Sequence, residues 1–398
     1  MTSAVLGDDI VEKSMLQLQI GQQSSGTKSV NTSTSEEVTE IITDDANVAI
    51  NDIDVITDRL KRAVILEEKC KIFVAEALLD GIDPKHFEKV HHDIMKEAKL
   101  FRRILQDSSS PITAPSDDES QNHMNADQWI KQGEQHDDRH DFAIYYKVSA
   151  TNQITCRIET PIKKELLIPI LAVLNESELY KSWIPQYNVP RLKVVKSEKL
   201  KQSGRTRQTI LVETEVPWPI AKRELILKAV SCDDIDSDDG DGSSNSDSDE
   251  NTGKKSPSRI LVRIQSLDCE DSGEDGLEIL PAKDGVRIKV DGGFVFEKCP
   301  SDHPMAKKSL SKAETGDGND MILLTFTFSV DPKFSILPQA FLNFFLRIAM
   351  RQIWGMFLRV AEEVGDGKRP EHSEVIERKR EELYDWVEER TNAMLQQS

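Results

Sequence analysis

Apolar residues recur at two different spacings along this chain, and the change in spacing divides it into regions. Over residues 53–106 they fall three or four positions apart, which predicts two amphipathic helices. The first should end near Gly81, since glycine suits the left-handed position that follows a helix. Asp83 and Pro84 are typical of the start of the second. Because the connection is short, residues 51–107 are predicted to form an antiparallel helical hairpin.

Beyond a polar linker at residues 108–124, the spacing of apolar residues moves toward two, which predicts β-strands. The predicted strands are 142–148, 153–160, 192–200, 206–215, 223–231, 258–267, 286–298 and 320–330. A helical segment at 162–174 separates the second strand from the third. No regular alternation of strands and helices follows, so the sheet should be mainly antiparallel.

Two helices are predicted after the last strand. The first, 335–364, is apolar on more than one face, and such a helix is normally buried on most of its surface. It completes a predicted domain of residues 125–365. The second, 370–396, is charged with a thin apolar stripe, and we expect it to dock on the hairpin or on a second copy of the chain.

Three segments have the composition of disordered chain. Residues 1–50 are rich in Ser, Thr and acidic residues and contain no aromatic residue. Residues 233–257 form an acidic low-complexity insertion, with nine acidic residues and no basic residue in its first eighteen positions. Residues 300–319 are a second polar insertion. Both insertions are predicted to lie outside the packed sheet.

Charge and cysteine content restrict the possible functions. The 398-residue chain has a net charge of −19, which argues against nucleic acid as a partner. Its five cysteines are odd in number and widely spaced, so neither a disulfide framework nor a zinc site is predicted. The N-terminal residues lack the apolar segment of a secretory signal. A cytoplasmic setting is therefore expected.

No catalytic motif is recognisable in the sequence. The G-x-S-x-G, H-E-x-x-H and P-loop patterns are absent. His136 and His140 lie among aspartates, but the segment is polar and is interpreted as a solvated cluster rather than a metal site. No catalytic residue, metal or cofactor is therefore predicted. A carboxylate that acts inside a cavity stays open as an alternative, since the sequence does not show which acids face inward.

Three segments, in this order, resemble START (StAR-related lipid-transfer) domains. Residues 179–185, LYKSWIP, resemble the W-x-P turn of that family. Residues 216–224, VPWPIAKRE, resemble its P-W-P-x-x-x-R-D segment, with Glu224 where the family usually has Asp. Residues 331–346, DPKFSILPQAFLNFFL, resemble the start of its C-terminal helix. The strand GGFVF at 292–296 adds weaker support.

The resemblance implies an α+β helix-grip fold, in which a curved antiparallel sheet surrounds a long C-terminal helix. Here the N-terminal helical hairpin and the extra C-terminal helix would be additions. The fold would enclose an apolar tunnel for one lipid, either a sterol, a phospholipid or a sphingolipid. The residues expected to bind the lipid are Trp183, Arg223, Phe294, Phe326, Phe328, Phe341, Phe345 and Ile348. Trp218 and Ile220 are expected to contact a membrane transiently.

Alternative roles remain open for several of these residues. Each aromatic residue can equally belong to the ordinary core, and Trp218 can pack against the sheet. Arg223 either pairs with a carboxylate or backbone carbonyls, or binds a headgroup phosphate, for which the guanidinium group is well shaped.

The predicted function is lipid transfer or lipid sensing by a non-enzymatic cytoplasmic protein that is peripheral to membranes. The alternative is a protein-interaction scaffold whose tunnel is filled by its own side chains. In that case helices 53–106 and 370–396 would bind a protein partner or a second copy of the chain.

Overall fold

The computed structural model describes most of the chain and divides it into two compact units between Thr57 and Asp58. The described residues are 37–111, 129–136, 140–148, 154–184, 187–188, 191–215, 221–235, 258–273, 276–283, 285–306, 321–331 and 350–397. In the first unit, residues 37–57 are described and are helical. The second unit contains the sheet and the other helices.

The sheet is antiparallel between all described neighbours except one. Its strands are β1 Ile130–His136, β2 Asp141–Val148, β3 Ile154–Lys163, β4 Tyr187–Asn188, β5 Arg191–Ser203, β6 Arg207–Glu215, β7 Lys222–Asp234, β8 Arg259–Ser266, β9 Gly285–Arg287, β10 Lys289–Lys298 and β11 Met321–Asp331. Their order is β1-β2-β3-β11-β10-β8-β7-β6-β5-β4. The exception is the short strand β9, which pairs with β7 in parallel.

Helices lie on both sides of this sheet. The helices in the described part of the chain are α1 Glu37–Glu68, α2 Ile72–Leu79, α3 Lys89–Ser109, α4 Leu167–Asn175, α5 Tyr180–Trp183, α6 Met350–Gly365, α7 Pro370–Arg378 and α8 Asp385–Gln397. A π-helical turn, Arg380–Tyr384, joins α7 to α8. Helices α4 and α6 pack on one face, here called the inner face, and α2 and α3 pack on the other, the outer face.

Strand alternation assigns each residue to one face. On β8, Ile260, Val262 and Ile264 point to the inner face, and the residues between them point to the outer face. The pairing register continues this assignment across the sheet, because Phe294 on β10 lies opposite both Val262 and Phe326 of the neighbouring strands. The large inner core therefore includes side chains from β3, β8, β10 and β11.

The outer face is sealed by α2 and α3. Its core contains Ile72 from α2, Ala98, Phe101 and Ile104 from α3, and Val230, Cys232, Leu261 and Val295 from the sheet. A buried ion pair accompanies these contacts, since the Arg263 guanidinium donates to Glu97 Oε1 at 2.7 Å and to Oε2 at 2.9 Å. Helices α2 and α3 are therefore part of the packed fold.

The eight strands predicted from the sequence are all present, and the architecture has the predicted α+β helix-grip class. Strand β1 was missed because its sequence, IKQGEQH, is polar and lacks alternation. Helix α1 begins at Glu37, inside the segment whose composition predicts disorder. The long final helix is described over Met350–Gly365, and its predicted start at 335 lies outside the described residues.

Two of the predicted helices are divided in the structure. The first helix of the predicted hairpin is interrupted at Cys70, whose φ of +63° is incompatible with a continuous right-handed helix. The predicted helix 370–396 is likewise divided by the π-helical turn. Within the chain this segment packs on α4 rather than on the predicted hairpin, because Leu383, Tyr384 and Val387 contact Ala172. A partly apolar helix does not reveal which surface of its own fold it covers.

Candidate functional site

The inner face of the sheet is apolar but incompletely covered. Its partly exposed side chains are Leu225 and Leu227 on β7, Val262 and Ile264 on β8, and Phe326 and Val330 on β11. On the outer face of the same region, Val230, Cys232, Leu261 and Val295 are between 0% and 2% exposed. An apolar surface left open inside the grip of a sheet is suited to an apolar ligand.

This open surface is closed at one end. There Ile260, Phe296 and Leu324 are between 0% and 5% exposed. They share a core with Trp354 of α6 and with Met394 and Leu395 of α8. At the other end of these strands, Ile264 and Val330 are partly exposed. The candidate site therefore has one closed end and one open end.

Three of the predicted aromatic residues come together on the inner face. Phe326 stacks on Phe294 with ring centroids 4.2 Å apart, on Phe328 at 4.7 Å and on Trp354 at 5.8 Å. Phe294 and Phe328 are 5% and 6% exposed and mainly serve the core. Phe326, in the centre of the stack, is partly exposed, so it has the most surface available to a ligand.

Trp183 on α5 places a polar group inside this core. It is 8% exposed and lies 6.0 Å from the Phe357 ring. Its buried Nε1 has no hydrogen-bond partner among the described residues. By contrast, Trp354 Nε1 donates to Thr160 Oγ1 at 2.8 Å. A buried N–H without an acceptor costs on the order of 1–3 kcal/mol, so a ligand oxygen at this position would be stabilising.

Arg223 lies at the open end of the site. It alternates with Leu225 and Leu227 on β7, so strand geometry places it on the inner face. Its Nη1 donates to the backbone carbonyl of Ala221 at 2.7 Å, one of the two kinds of contact expected of it. Partial burial lowers the pKa of Arg223, although an arginine stays charged under all ordinary conditions. This position leaves both of its predicted roles open.

The other predicted site residues lie outside the described residues. These are Phe341, Phe345 and Ile348 in the predicted long helix, and Trp218 and Ile220 between β6 and β7. Four further residues of the site were not predicted from the sequence, namely Leu225, Leu227, Val262 and Ile264. Their alternation indicates which face they occupy, but it contains no signal for how completely that face is covered.

The described part of the chain contains His, Cys, Asp and Glu side chains, which are candidate metal ligands, and several long helices. No cluster of three or more His, Cys, Asp or Glu side chains there is arranged to hold a metal. His140, expected in a solvated cluster, is instead mostly buried, and its Nε2 lies 3.0 Å from Glu362 Oε1 on α6. None of the described helices combines the length and the apolar character needed to cross a membrane.

No protein-family model matches the chain, and no curated protein matches it. Solved structures do resemble it. The human StAR-related lipid transfer protein 5 has 12% identity and a TM-score of 0.43, over 70% of this chain and 99% of that protein. Human STARD10 has 12% identity and a TM-score of 0.42, over 67% and 80% of the two chains.

A fragment of the STAR-related lipid transfer protein from Xanthomonas axonopodis has 16% identity and a TM-score of 0.36. It covers 58% of this chain and 98% of the fragment. The chain thus resembles START-related domains in overall structure as well as in its motifs.

Proposed function

We propose that this chain binds one lipid between the inner face of its sheet and helix α6, for lipid transfer or sensing without catalysis. The observation that supports this most directly is the contrast between the two faces. Apolar side chains on the outer face of the central strands are almost completely buried. On the inner face, apolar side chains such as Leu227, Val262 and Ile264 are partly exposed. A ligand with a hydrocarbon chain would cover them.

The energetics favour a largely enclosed site for such a ligand. Burial of each methylene contributes about 0.8 kcal/mol of free energy. For a sixteen-carbon chain to leave a bilayer, the protein must therefore supply on the order of 12 kcal/mol by burying it again. Partly exposed apolar walls on neighbouring strands provide contacts along the chain. We include Phe341, Phe345 and Ile348 in this proposal as further wall residues, because the predicted helix containing them is apolar on several faces.

The polar part of the lipid would lie near Trp183 Nε1 or Arg223. One is a buried donor without an acceptor among the described residues, and the other is a cation at the open end. Trp218 and Ile220 lie five and three residues before this arginine in the sequence and are proposed to contact the membrane, since tryptophan favours the interface. The protein would then be cytoplasmic and peripheral to membranes.

Val262 and Val295 provide a matched test. They lie on adjacent strands, but Val262 faces the partly open inner side and Val295 is 1% exposed on the outer side. Val262→Phe should reduce lipid loading at least tenfold with a stability loss below about 1 kcal/mol, because the ring enters open space. Val295→Phe should cost about 1–3 kcal/mol through overpacking and leave loading unchanged.

Loading would be measured by native mass spectrometry after incubation with vesicles of mixed phospholipids, ceramide and cholesterol. Equal loading of the Val262→Phe and wild-type proteins would contradict a ligand on the inner face. A wild-type protein that is empty after every incubation would favour the second candidate, a protein-interaction role. Ile65 on α1 and Val74 on α2 support that candidate, since they are 51% and 50% exposed.

A further inference from the structure

We propose that helix α8 is the end wall of the lipid site and that Leu395 limits the length of the hydrocarbon chain it accepts. This inference rests on the proposed lipid-binding function and assigns the orientation of the ligand within the site. The lipid tail would point toward α8, and the headgroup would lie at the Arg223 end.

The packing of α8 supports this assignment. The helix lies against β8 and β10, and its last turns contribute Met394 and Leu395 to the inner core, at 0% and 8% exposure. The Lys298 ammonium, at the end of β10, donates to the Leu395 carbonyl at 3.3 Å. These contacts fall at the closed end of the inner face, where Ile260 and Phe296 belong to the same core.

Buried charges fix α8 in this position. The Asp233 side chain, at the end of β7, is 0% exposed and lies 2.5 Å from Arg390 Nε of α8. It also pairs with Lys71 Nζ at 3.0 Å, next to the start of α2. Removing one partner of a buried ion pair is strongly destabilising. An end wall anchored in this way can define a length rather than yield to a longer ligand.

Strand β7 connects the two ends of the site and shows how the ligand would be oriented between them. Asp233 and Arg223 are ten residues apart on β7, which corresponds to about 33 Å along an extended strand. Between them, the partly exposed Leu225 and Leu227 face inward. Arg223 is therefore a cation at the open end, whereas the charges of Asp233 and Arg390 at the closed end are paired with each other. This polarity matches a lipid whose headgroup remains near the entrance.

The test compares two leucines of the C-terminal segment. Leu395 and Leu383 are each 8% exposed, but Leu383 packs against Ala172 of α4, away from the inner face. Leu395→Ala removes an isopropyl group from the end wall, whereas Leu383→Ala removes the same group elsewhere. Both proteins would be loaded from vesicles containing phosphatidylcholines and ceramides that range from myristoyl to arachidoyl chains, and bound species would be identified by native mass spectrometry.

We expect Leu395→Ala to shift the bound population toward chains two carbons longer by roughly tenfold, since each methylene accommodated is worth about a factor of four. Leu383→Ala should retain the wild-type distribution. If Leu395→Ala fails to fold, Leu395→Val should give a smaller shift in the same direction. An unchanged distribution in the loaded Leu395 variant, or uptake of cholesterol with no acyl lipid, would overturn the assignment. A wild-type protein that takes up no lipid would instead refute the proposed function itself.

Discussion

The two faces of the central sheet are built from alternate residues of the same strands, yet they differ in how completely they are covered. On the outer face, α2 and α3 bury short aliphatic side chains and a charged pair to near dryness. On the inner face, α6 leaves apolar side chains such as Val262 and Leu227 partly exposed. The comparison indicates that the outer face serves stability, while part of the inner face is available for binding.

The largest expected effect is on the outer face, at the ion pair between Arg263 and Glu97. Their side chains are 1% and 9% exposed. Glu97→Ala should lower the free energy of unfolding by about 3–5 kcal/mol, because it leaves a buried guanidinium without its carboxylate. Urea denaturation would measure this loss. Lipid loading should stay unchanged under conditions where the variant is folded.

A matched control for this prediction is the pair between Arg380 and Asp385. Its atoms lie 3.3 Å apart, but the side chains are 48% and 52% exposed. Arg380→Ala should therefore cost less than about 1 kcal/mol. If Glu97→Ala were as mild as this control, the outer face would not have the structural role assigned to it.

An intermediate effect is expected from two tryptophans of the inner core. Trp354→Phe leaves the buried Thr160 hydroxyl without its donor and should cost about 1–3 kcal/mol beyond the loss of ring volume. Trp183→Phe loses similar volume but removes an N–H that has no described partner, so it should be the less destabilising of the two. Thermal and urea unfolding of both variants would measure the difference.

In lipid loading the order should be reversed, so that Trp183→Phe has the larger effect and Trp354→Phe the smaller one. If Trp183 Nε1 donates to the ligand, its removal should weaken loading about two- to tenfold, the range of one net hydrogen bond. Trp354→Phe should have a smaller effect, because the Trp354 donor is already used within the protein. Equal loading by the wild-type protein and Trp183→Phe would remove Trp183 from the proposed headgroup contacts.

The sequence was sufficient to predict the fold class and most of the strands, because period-two alternation is typical of strands that are covered on one face. The last strand is one example, since Leu324 and Phe326 alternate with Thr325 in the sequence. The break at Cys70 was not predictable, because a positive φ at a residue other than glycine has no composition signal. The partial exposure of Val262 was also not predictable from the sequence, since it depends on how closely other helices and strands pack against the inner face.

The docking site of the C-terminal segment was hidden for a related reason. Its apolar stripe indicates that one face is covered, but Leu383 and Leu395 have the same chemistry while one packs on α4 and the other on the inner core. The buried partners of Arg390 and Lys379 lie far away in sequence, at Asp233 and Glu176. Long-range pairs of this kind have no local sequence signature.

The smallest predicted effect concerns pH and helix α7, on the inner side of the molecule. His372 is 0% exposed, and neither ring nitrogen has a hydrogen-bond partner among the described residues. Burial lowers the pKa of His372 below its usual value of 6.5; Arg369 adds to this shift, while Glu371 and Glu176 oppose it. The folded protein therefore binds fewer protons at this site than the unfolded chain does. Its contribution to stability should be fully present above pH 6.5 and should decline as the pH falls below that value.

Urea unfolding of the wild-type protein and His372→Leu, at one pH above 6.5 and one below it, would measure this decline. The wild-type protein should lose more stability on acidification than His372→Leu, since the variant has no imidazole to protonate in the core. His86→Leu is the control, because His86 is exposed in the turn before α3, and it should respond to pH as the wild-type protein does. If His372→Leu and the wild-type protein lost equal stability, the imidazole would have to be hydrated in solution. Helix α7 would then pack less tightly against the core than the complete burial of His372 indicates.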